Sequence, residues 1–261
     1  MKAILSDIHG NLEALHAVLD DIARLRVDSI YNLGDTTGYG PDPVACIDLS
    51  LNMAVVLQGN FDNAVFTGTS GFSVYAEQSI IWTQFLLESS AQDAATQCRR
   101  IEFLGGLPSS HAEEDSLYVH GSPGHAGFAP DLEAYRNEYL FPEDICNRQK
   151  MERIDRQFEH VCFNGHTHVP GIFIEGGPEG WQYLSSVECG AGFQLDDRKV
   201  ICNVGSVGQP RDENWRAAYV LFDGTTISYR RVEYDVEATI AKIYAVPELG
   251  NFTGDRLRLG R

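Results

Sequence analysis

The first sixty residues constrain the fold most, because apolar runs of two different periods alternate through them. Lys2 to Ser6 is a short apolar strand. Asn11 to Arg26 then carries Leu12, Leu15, Val18, Leu19, Ile22 and Leu25 on one helical face. Ser29 to Leu33 is a second strand, Pro43 to Leu51 a short helix, and Met53 to Leu57 a third strand. Strands alternating with helices argue for a parallel, centrally buried sheet in an α/β fold.

Further along, Val74 to Leu87 and Ala91 to Leu104 read as a helical pair outside the sheet. Leu117 to Val119 is a strand, Pro142 to Gln157 a helix and Val161 to Phe163 another strand. From residue 171 the pattern turns β-rich, over 172–174, 182–186, 200–202, 217–222 and 226–232. Val236 to Tyr244 reads as a terminal helix, and the segment 245–261, with Gly250, Gly254 and Gly260, as a loose tail. No repeat, low-complexity tract or linker interrupts the chain, so residues 1–261 are read as a single domain.

The longest unbroken apolar run is six residues, Ala217 to Phe222, far short of a bilayer span. Asp7 and His9 interrupt the apolar stretch at the N-terminus, so no signal peptide is visible and the expected address is the cytoplasm. The six cysteines are scattered without a CxxC pair and read as reduced, mostly buried thiols. A net charge of −17 repels polyanions, and the densest basic clusters are the pairs Arg99-Arg100 and Arg230-Arg231. Extended nucleic acid is therefore excluded as a partner. A small phosphorylated substrate remains compatible if bound cations invert the local field.

Sites in open α/β sheets lie beyond the carboxyl ends of the strands. Here each such end carries side chains of a metal-ligand type. They are Asp7 and His9 in SDIHGN, Asp35 in GDTTGYG, Asn60 and Asp62 in GNFD, His120 in HGSP, and His166 and His168 in NGHTH. Asp7 and His9, two apart on a turn, can face one ion from the same side. A carboxylate such as Asp35 has two oxygens and can bridge two cations, while Asn60 offers a neutral oxygen. Mixed nitrogen and oxygen ligation suits Mn²⁺, Fe or Zn²⁺ better than Mg²⁺ or Ca²⁺. A lone Asp after a strand is more often a helix cap and a lone loop His a solvated residue. Five such elements in order are hard to attribute to chance.

Taken together, SDIHGN at 6–11, GDTTGYGPDP at 34–43, GNFD at 59–62, VHGSP at 119–123, GHTHVP at 165–170 and NVGSVGQPRD at 203–212 resemble the calcineurin-like metallophosphoesterases. The GYGP and GSVGQPRD elements look like the bacterial phosphodiesterase branch. The resemblance implies a four-layer α-β-β-α sandwich, two mixed sheets flanked by helices. It implies that Asp7, His9 and His168 hold one divalent ion, that Asn60, His120 and His166 hold the other, and that Asp35 bridges them. It further implies attack on phosphorus by a hydroxide held by the ions, on phosphodiesters or nucleotide phosphoanhydrides.

One departure matters. Many members have a histidine after the ligand Asn that protonates the leaving group, and here that position is Phe61. General acid catalysis is worth ~10²–10⁴-fold, so its loss penalises basic alkoxide leaving groups. Asp35, Asn60, Asp62 and His125 are the candidate catalytic residues, with His125 the candidate replacement acid. Asn11 and Arg211 are candidate substrate contacts, against the plainer readings of a loop anchor and of an ion pair within the PRD turn. A phosphomonoesterase, disfavoured by Phe61, and a catalytically retired metal-binding scaffold, disfavoured by the intact ligands, are the competing readings.

Overall fold

The computed structural model describes residues 1–89, 93–124, 136–176 and 180–261. Among them two six-stranded sheets face each other. The first runs, in spatial order, β3 (Val55–Val56), β2 (Ser29–Asn32), β1 (Lys2–Leu5), β11 (Ala217–Phe222), β12 (Thr226–Val232) and β9 (Phe193–Gln194). The second runs β4 (Ser110–Glu113), β5 (Ser116–Val119), β6 (Val161–Asn164), β10 (Val200–Asn203), β7 (Gly171–Glu175) and β8 (Trp181–Ser185). Both sheets are mixed. β1, β2 and β3 are parallel, with Lys2 opposite Ser29, and so are β5, β6 and β10, with Val200 opposite Val161. The remaining pairings are antiparallel, including β1 on β11.

The period-two alternation of strands explains the layering. Ile4, Val220 and Phe222 point inward and meet Tyr118, Phe163 and Cys202 of the second sheet. Their neighbours Ala3, Leu5 and Tyr219 point outward onto Ala14, Leu15, Val18 and Ile22 of α1 (Leu12–Ala23). On the far side Val119, Cys162 and Ile201 pack on Met151 and Ile154 of α6 (Arg148–Asp155). The result is the helix–sheet–sheet–helix sandwich the resemblance implied. α2 (Pro43–Ser50) lies beside α1, while α3 (Asn60–Thr67), α4 (Val74–Ser89) and α5 (Ala94–Gly105) share a cluster of Phe61, Val65, Ile80, Leu87 and Leu104.

Several elements differ from their sequence reading. The stretch 142–157 is not one helix but a 3-10 turn, Pro142–Cys146, then α6, because Asn147 caps α6 with its side chain on the Lys150 amide. The segment 245–261 is not loose. α8 (Asn251–Asp255) and a 3-10 turn, Arg256–Leu259, pack on α7 (Val236–Ala245), burying Leu249 and Leu257 against Ile240 and Ile243. Gly260 adopts a left-handed φ of 61° that ends the turn, and its carbonyl accepts from the Glu213 amide at 2.9 Å. No helix among the described residues is long and apolar enough to cross a membrane.

Candidate metal centre

The parallel strands of both sheets end at the same edge of the sandwich, so their following loops converge. Asp7 and His9 follow β1, Asp35 follows β2, Asn60 opens α3 just after β3, His120 follows β5, and His166 and His168 follow β6. All seven side chains are buried. Asp7, His9, Asp35, His166 and His168 hold positive φ angles between 48° and 66°, a region costly for residues with a Cβ. Strain of this kind, of order 1–3 kcal/mol per residue, persists where the surroundings over-determine it, typically at functional sites. The loops are also packed too tightly for extra atoms: a methyl at Gly59 would overlap the Asp35 carboxylate, and one at Gly165 would overlap that of Asp7.

Two groups of donors result, Asp7 with His9 and His168, and Asp35 with His120 and His166, each within 4.8 Å. Asn60 joins the second, its Oδ1 3.2 Å from His120 Nε2. Asp35 lies between them, with Oδ2 3.3 Å from His120 Nε2 and 3.7 Å from His9 Nε2, while its Oδ1 accepts from the Phe61 amide at 2.8 Å.

Hydrogen bonds behind the site fix each imidazole. Nδ1 of His9, His120 and His168 faces the carbonyls of Thr37, Leu33 and Gln209, and Nε2 of His166 faces that of Asn137. A carbonyl can only accept, so those nitrogens carry protons, and in the neutral His9, His166 and His168 the opposite nitrogens look into the site bare. His9 Nε2 and His168 Nε2 are then 3.1 Å apart, and His168 Nε2 is 3.1 Å from Asp7 Oδ1, an atom without a hydrogen-bond partner. Three buried acceptors with no donor between them repel one another unless a cation lies in their midst. The donor set therefore fits a metal ion.

The charges agree with this. Burial, then the charge of His168, pushes His9 well below its ordinary value; burial, then the charge of His120, does the same to His166. Burial and the nearby Arg211 bring His168 down to about 4. These three imidazoles stay neutral, the form that binds metal. His120 behaves differently: burial opposes its charge, but the Asp35 carboxylate prevails and holds it up to about 9. The proton beside Asp35 occupies the place a cation would take. Burial disfavours the Asp7 carboxylate, yet among the imidazoles around it, with His120 charged and 4.0 Å from Oδ1, it is held below the usual carboxylate range.

Other expected site residues are placed differently. Asp62 does not face an open site. It accepts from the amides of Thr36 at 3.2 Å, Thr37 at 3.0 Å and Gly59 at 3.2 Å, and from the Thr37 hydroxyl at 2.9 Å. Its catalytic role thus gives way to a positioning one, joining the second and third ligand loops. Asp62→Ala should cost about 4 kcal/mol or more in chemical denaturation, since it orphans four buried donors at ~1–3 kcal/mol each. A loss below 1 kcal/mol would show those loops to be held otherwise. Asn11 is not available to substrate either: Oδ1 accepts from the Ala14 amide and the Thr239 hydroxyl, and Nδ2 donates to Gly208 O and Tyr234 OH. It caps α1 and anchors the first loop. Arg211 makes no ion pair within the PRD turn, because Asp212 pairs with Arg231. His125 lies outside the described residues. Tyr139, passed over in the sequence, stacks on His166 with ring centroids 3.9 Å apart and 43% of its surface exposed. No motif marks it.

Comparison with known proteins follows the same line. Residues 1–226 match the calcineurin-like phosphoesterase superfamily domain. An uncharacterized protein of Methanocaldococcus jannaschii is 35% identical over 278 positions, covering 100% of this chain and 98% of its own. The crystal structure of a metallophosphoesterase from Sphaerobacter thermophilus is 32% identical with a TM-score of 0.77, covering 100% of this chain and 98% of its own. A hypothetical protein of Pyrococcus horikoshii, 18% identical, shares the fold with a TM-score of 0.70 over 100% of this chain and 99% of its own. Fold, donor groups and relatives define a metal-dependent hydrolase. The chain belongs to the calcineurin-like phosphoesterase superfamily, a family that typically binds two divalent metals.

Proposed function

We propose that this chain hydrolyses phosphodiesters or nucleotide phosphoanhydrides on small substrates, using two divalent cations held by Asp7, His9, Asp35, Asn60, His120, His166 and His168. The observation that carries the reading is the donorless trio of Asp7 Oδ1, His9 Nε2 and His168 Nε2, at 3.1–3.7 Å from one another. When bound, the cations supply Lewis acidity toward the phosphoryl oxygens and lower the pKa of water. The protein's part is to keep three imidazoles neutral, to orient all four through backbone carbonyls, and to set Asp35 between the two groups. The nitrogen and oxygen donors favour Mn²⁺, Fe or Zn²⁺. The charge of −17 supports a small substrate over an extended nucleic acid.

Metal analysis of purified protein, then assay of bis-p-nitrophenyl phosphate, dinucleoside polyphosphates and phosphomonoesters, tests the reading. Two equivalents of metal with turnover of the first two classes are expected; metal-replete protein inert toward all three would leave the retired scaffold. Loading has a proton signature too. His120 keeps its proton up to about 9 and must lose it to a cation, whereas His9, His166 and His168 are already neutral at pH 7. Loading at pH 7 should therefore release about one proton, and affinity should fall as acidification makes protons compete for the imidazoles. Calorimetry in buffers of different ionisation enthalpy measures this, and zero release contradicts the assignment of His120.

A further inference from the structure

The helix α4 (Val74–Ser89) carries apolar side chains on two opposite faces. Its inner stripe of Ala76, Ile80, Thr83 and Leu87 is buried, on the side of the cluster that holds Phe61. Its outer stripe runs Val74, Gln78, Ile81, Phe85 and Glu88, all of them exposed. Both stripes repeat in alternating steps of four and three residues, the spacing that keeps one seam facing a partner helix along its whole length. A helix apolar on both faces ordinarily lies inside a protein. The outer face of α4 is open to solvent.

That face is broad, and its rings are held in place. Phe85 stacks on Trp82 with ring centroids 5.6 Å apart, and the Trp82 indole N–H donates to the Pro41 carbonyl at 3.2 Å. Tyr75 stacks on Phe252 of α8 at 5.1 Å, which extends the patch onto the C-terminal segment. Val74, Tyr75, Ile81, Phe85 and Phe252 are each 42–66% exposed. At roughly 200 Å² for a large side chain, they leave about 500 Å² of apolar surface open. Two such faces together bury about 1,000 Å², the level a specific interface has to clear, before any polar rim is counted. Charge narrows the choice of occupant. α4 has no Lys or Arg, and its two acids are Glu77, which accepts from the Thr69 hydroxyl at 2.8 Å, and Glu88 near its C-terminal end. A helix that lies on a membrane needs basic residues beside its apolar face, and a chain of net charge −17 is repelled by anionic lipid. The same net charge drives two copies apart unless they meet where charge is sparse. From Val74 to Phe85 the outer stripe carries none.

We infer that the outer face of α4 docks on the same face of a second copy of this chain, the two helices running antiparallel about Ile81. A two-fold axis there sets Ile81 against its own counterpart, Gln78 opposite Phe85 and Val74 opposite Glu88. The two Glu88 carboxylates then lie at opposite ends of a contact ~20 Å long, at ~1.5 Å per residue, more than twice the Debye length in physiological salt. A parallel pairing would instead lay Glu88 on Glu88. Phe61, whose ring packs on His9 at 5.0 Å, is on the inner side of α4, so the contact is turned away from the metal centre.

Sedimentation equilibrium of the full chain at micromolar concentrations should give twice its 28.9 kDa mass, with dissociation on dilution. Phe85→Glu puts an acid into the contact from each copy and should raise the dissociation constant at least ~100-fold. Val187→Glu, in the turn after the edge strand β8, should leave it unchanged. Both replace exposed side chains, so the circular dichroism of the dilute variants should match wild type. Val74→Lys should keep the dimer, because it meets Glu88 at both ends of an antiparallel contact. Oxidised Ile81→Cys should run as a covalent dimer and oxidised Val74→Cys should not, since only the axis brings two copies of one position within disulfide reach. If Phe85→Glu does not fold, the two cysteine variants decide the contact on their own. A wild type that is monomeric at every concentration, or a dimer that folded Phe85→Glu leaves intact, would overturn the docking. Wild type that sediments with anionic vesicles instead of pairing would assign the face to lipid and overturn it equally. Covalent dimers from Val74→Cys and none from Ile81→Cys would overturn the antiparallel axis.

Discussion

Asp35→Asn should empty both donor groups of their cations and lower turnover by about 10³-fold or more. Asp35 Oδ2 is the one carboxylate oxygen lying 3.3 Å from His120 in one group and 3.7 Å from His9 in the other. Its charge is shared between the groups, so its neutralisation weakens both. A drop of 10³ corresponds to about 4 kcal/mol, within the several kcal/mol that cations contribute to transition-state charge stabilisation. The substitution is nearly isosteric, and an amide oxygen can still accept the Phe61 N–H that Oδ1 holds at 2.8 Å. Folding should therefore survive, as circular dichroism and thermal melting would show. His168→Ala provides the contrast. It removes one member of the trio with Asp7 and His9 but leaves Asp35, His120, His166 and Asn60 in place, so one equivalent of metal should remain. If Asp35→Asn kept two metals and near-normal turnover, the proposed ligand arrangement would be wrong.

The candidate donors were legible early because ligand chemistry is local, whereas their division between two ions was implied by the family resemblance. Each donor directly follows an apolar strand, and strand, turn and donor lie within a few residues of one another. What lay outside sequence reading depended on contacts far along the chain. α3 begins on Asn60, and only Asp62 accepting from the Gly59 amide marks its start; GNFD reads equally well as a loop. β3 shrinks to Val55–Val56, although five apolar residues run from Met53 to Leu57, because only Tyr31 and Asn32 pair with it. β4 and β9 lie at or near sheet edges, and their polar residues carry no alternation. Three glycines made 245–261 look loose. Gly254 in fact sits where a methyl would crowd Tyr244 at 3.1 Å, and Gly260 turns the chain onto the Asn214 backbone. Their meaning appears only once α7 and the loop after Arg211 are in place.

Substrate preference turns on Phe61. Its ring is 5% exposed and packs against His9 at 5.0 Å, Tyr39 at 4.7 Å and Phe72 at 5.0 Å. Gly38 lies against the same ring so closely that a methyl there would overlap it. No proton donor occupies the position, so wild type should hydrolyse bis-p-nitrophenyl phosphate and dinucleoside polyphosphates readily. Glycerol phosphate should react ~10²–10⁴-fold more slowly, the usual worth of a general acid. Restoring the imidazole by Phe61→His looks like the natural rescue, with Asp62 behind it to orient the ring. The structure argues otherwise. Asp62 already serves four donors from Thr36, Thr37 and Gly59, and an imidazole could recruit it only by unfastening the loop that carries Asp35. The new ring would also stand in an aromatic cage, where burial without a partner costs about 1–3 kcal/mol. Phe61→His should therefore lower the melting temperature and leave the gap between activated and unactivated esters open. Measured across leaving groups of graded basicity, wild type should show a steep fall in rate, and the variant a parallel one. A flat wild-type profile would mean that an acid already acts, with His125 the first residue to replace. A flattened profile in the variant alone would mean that Asp62 can release its loop and orient a ring after all.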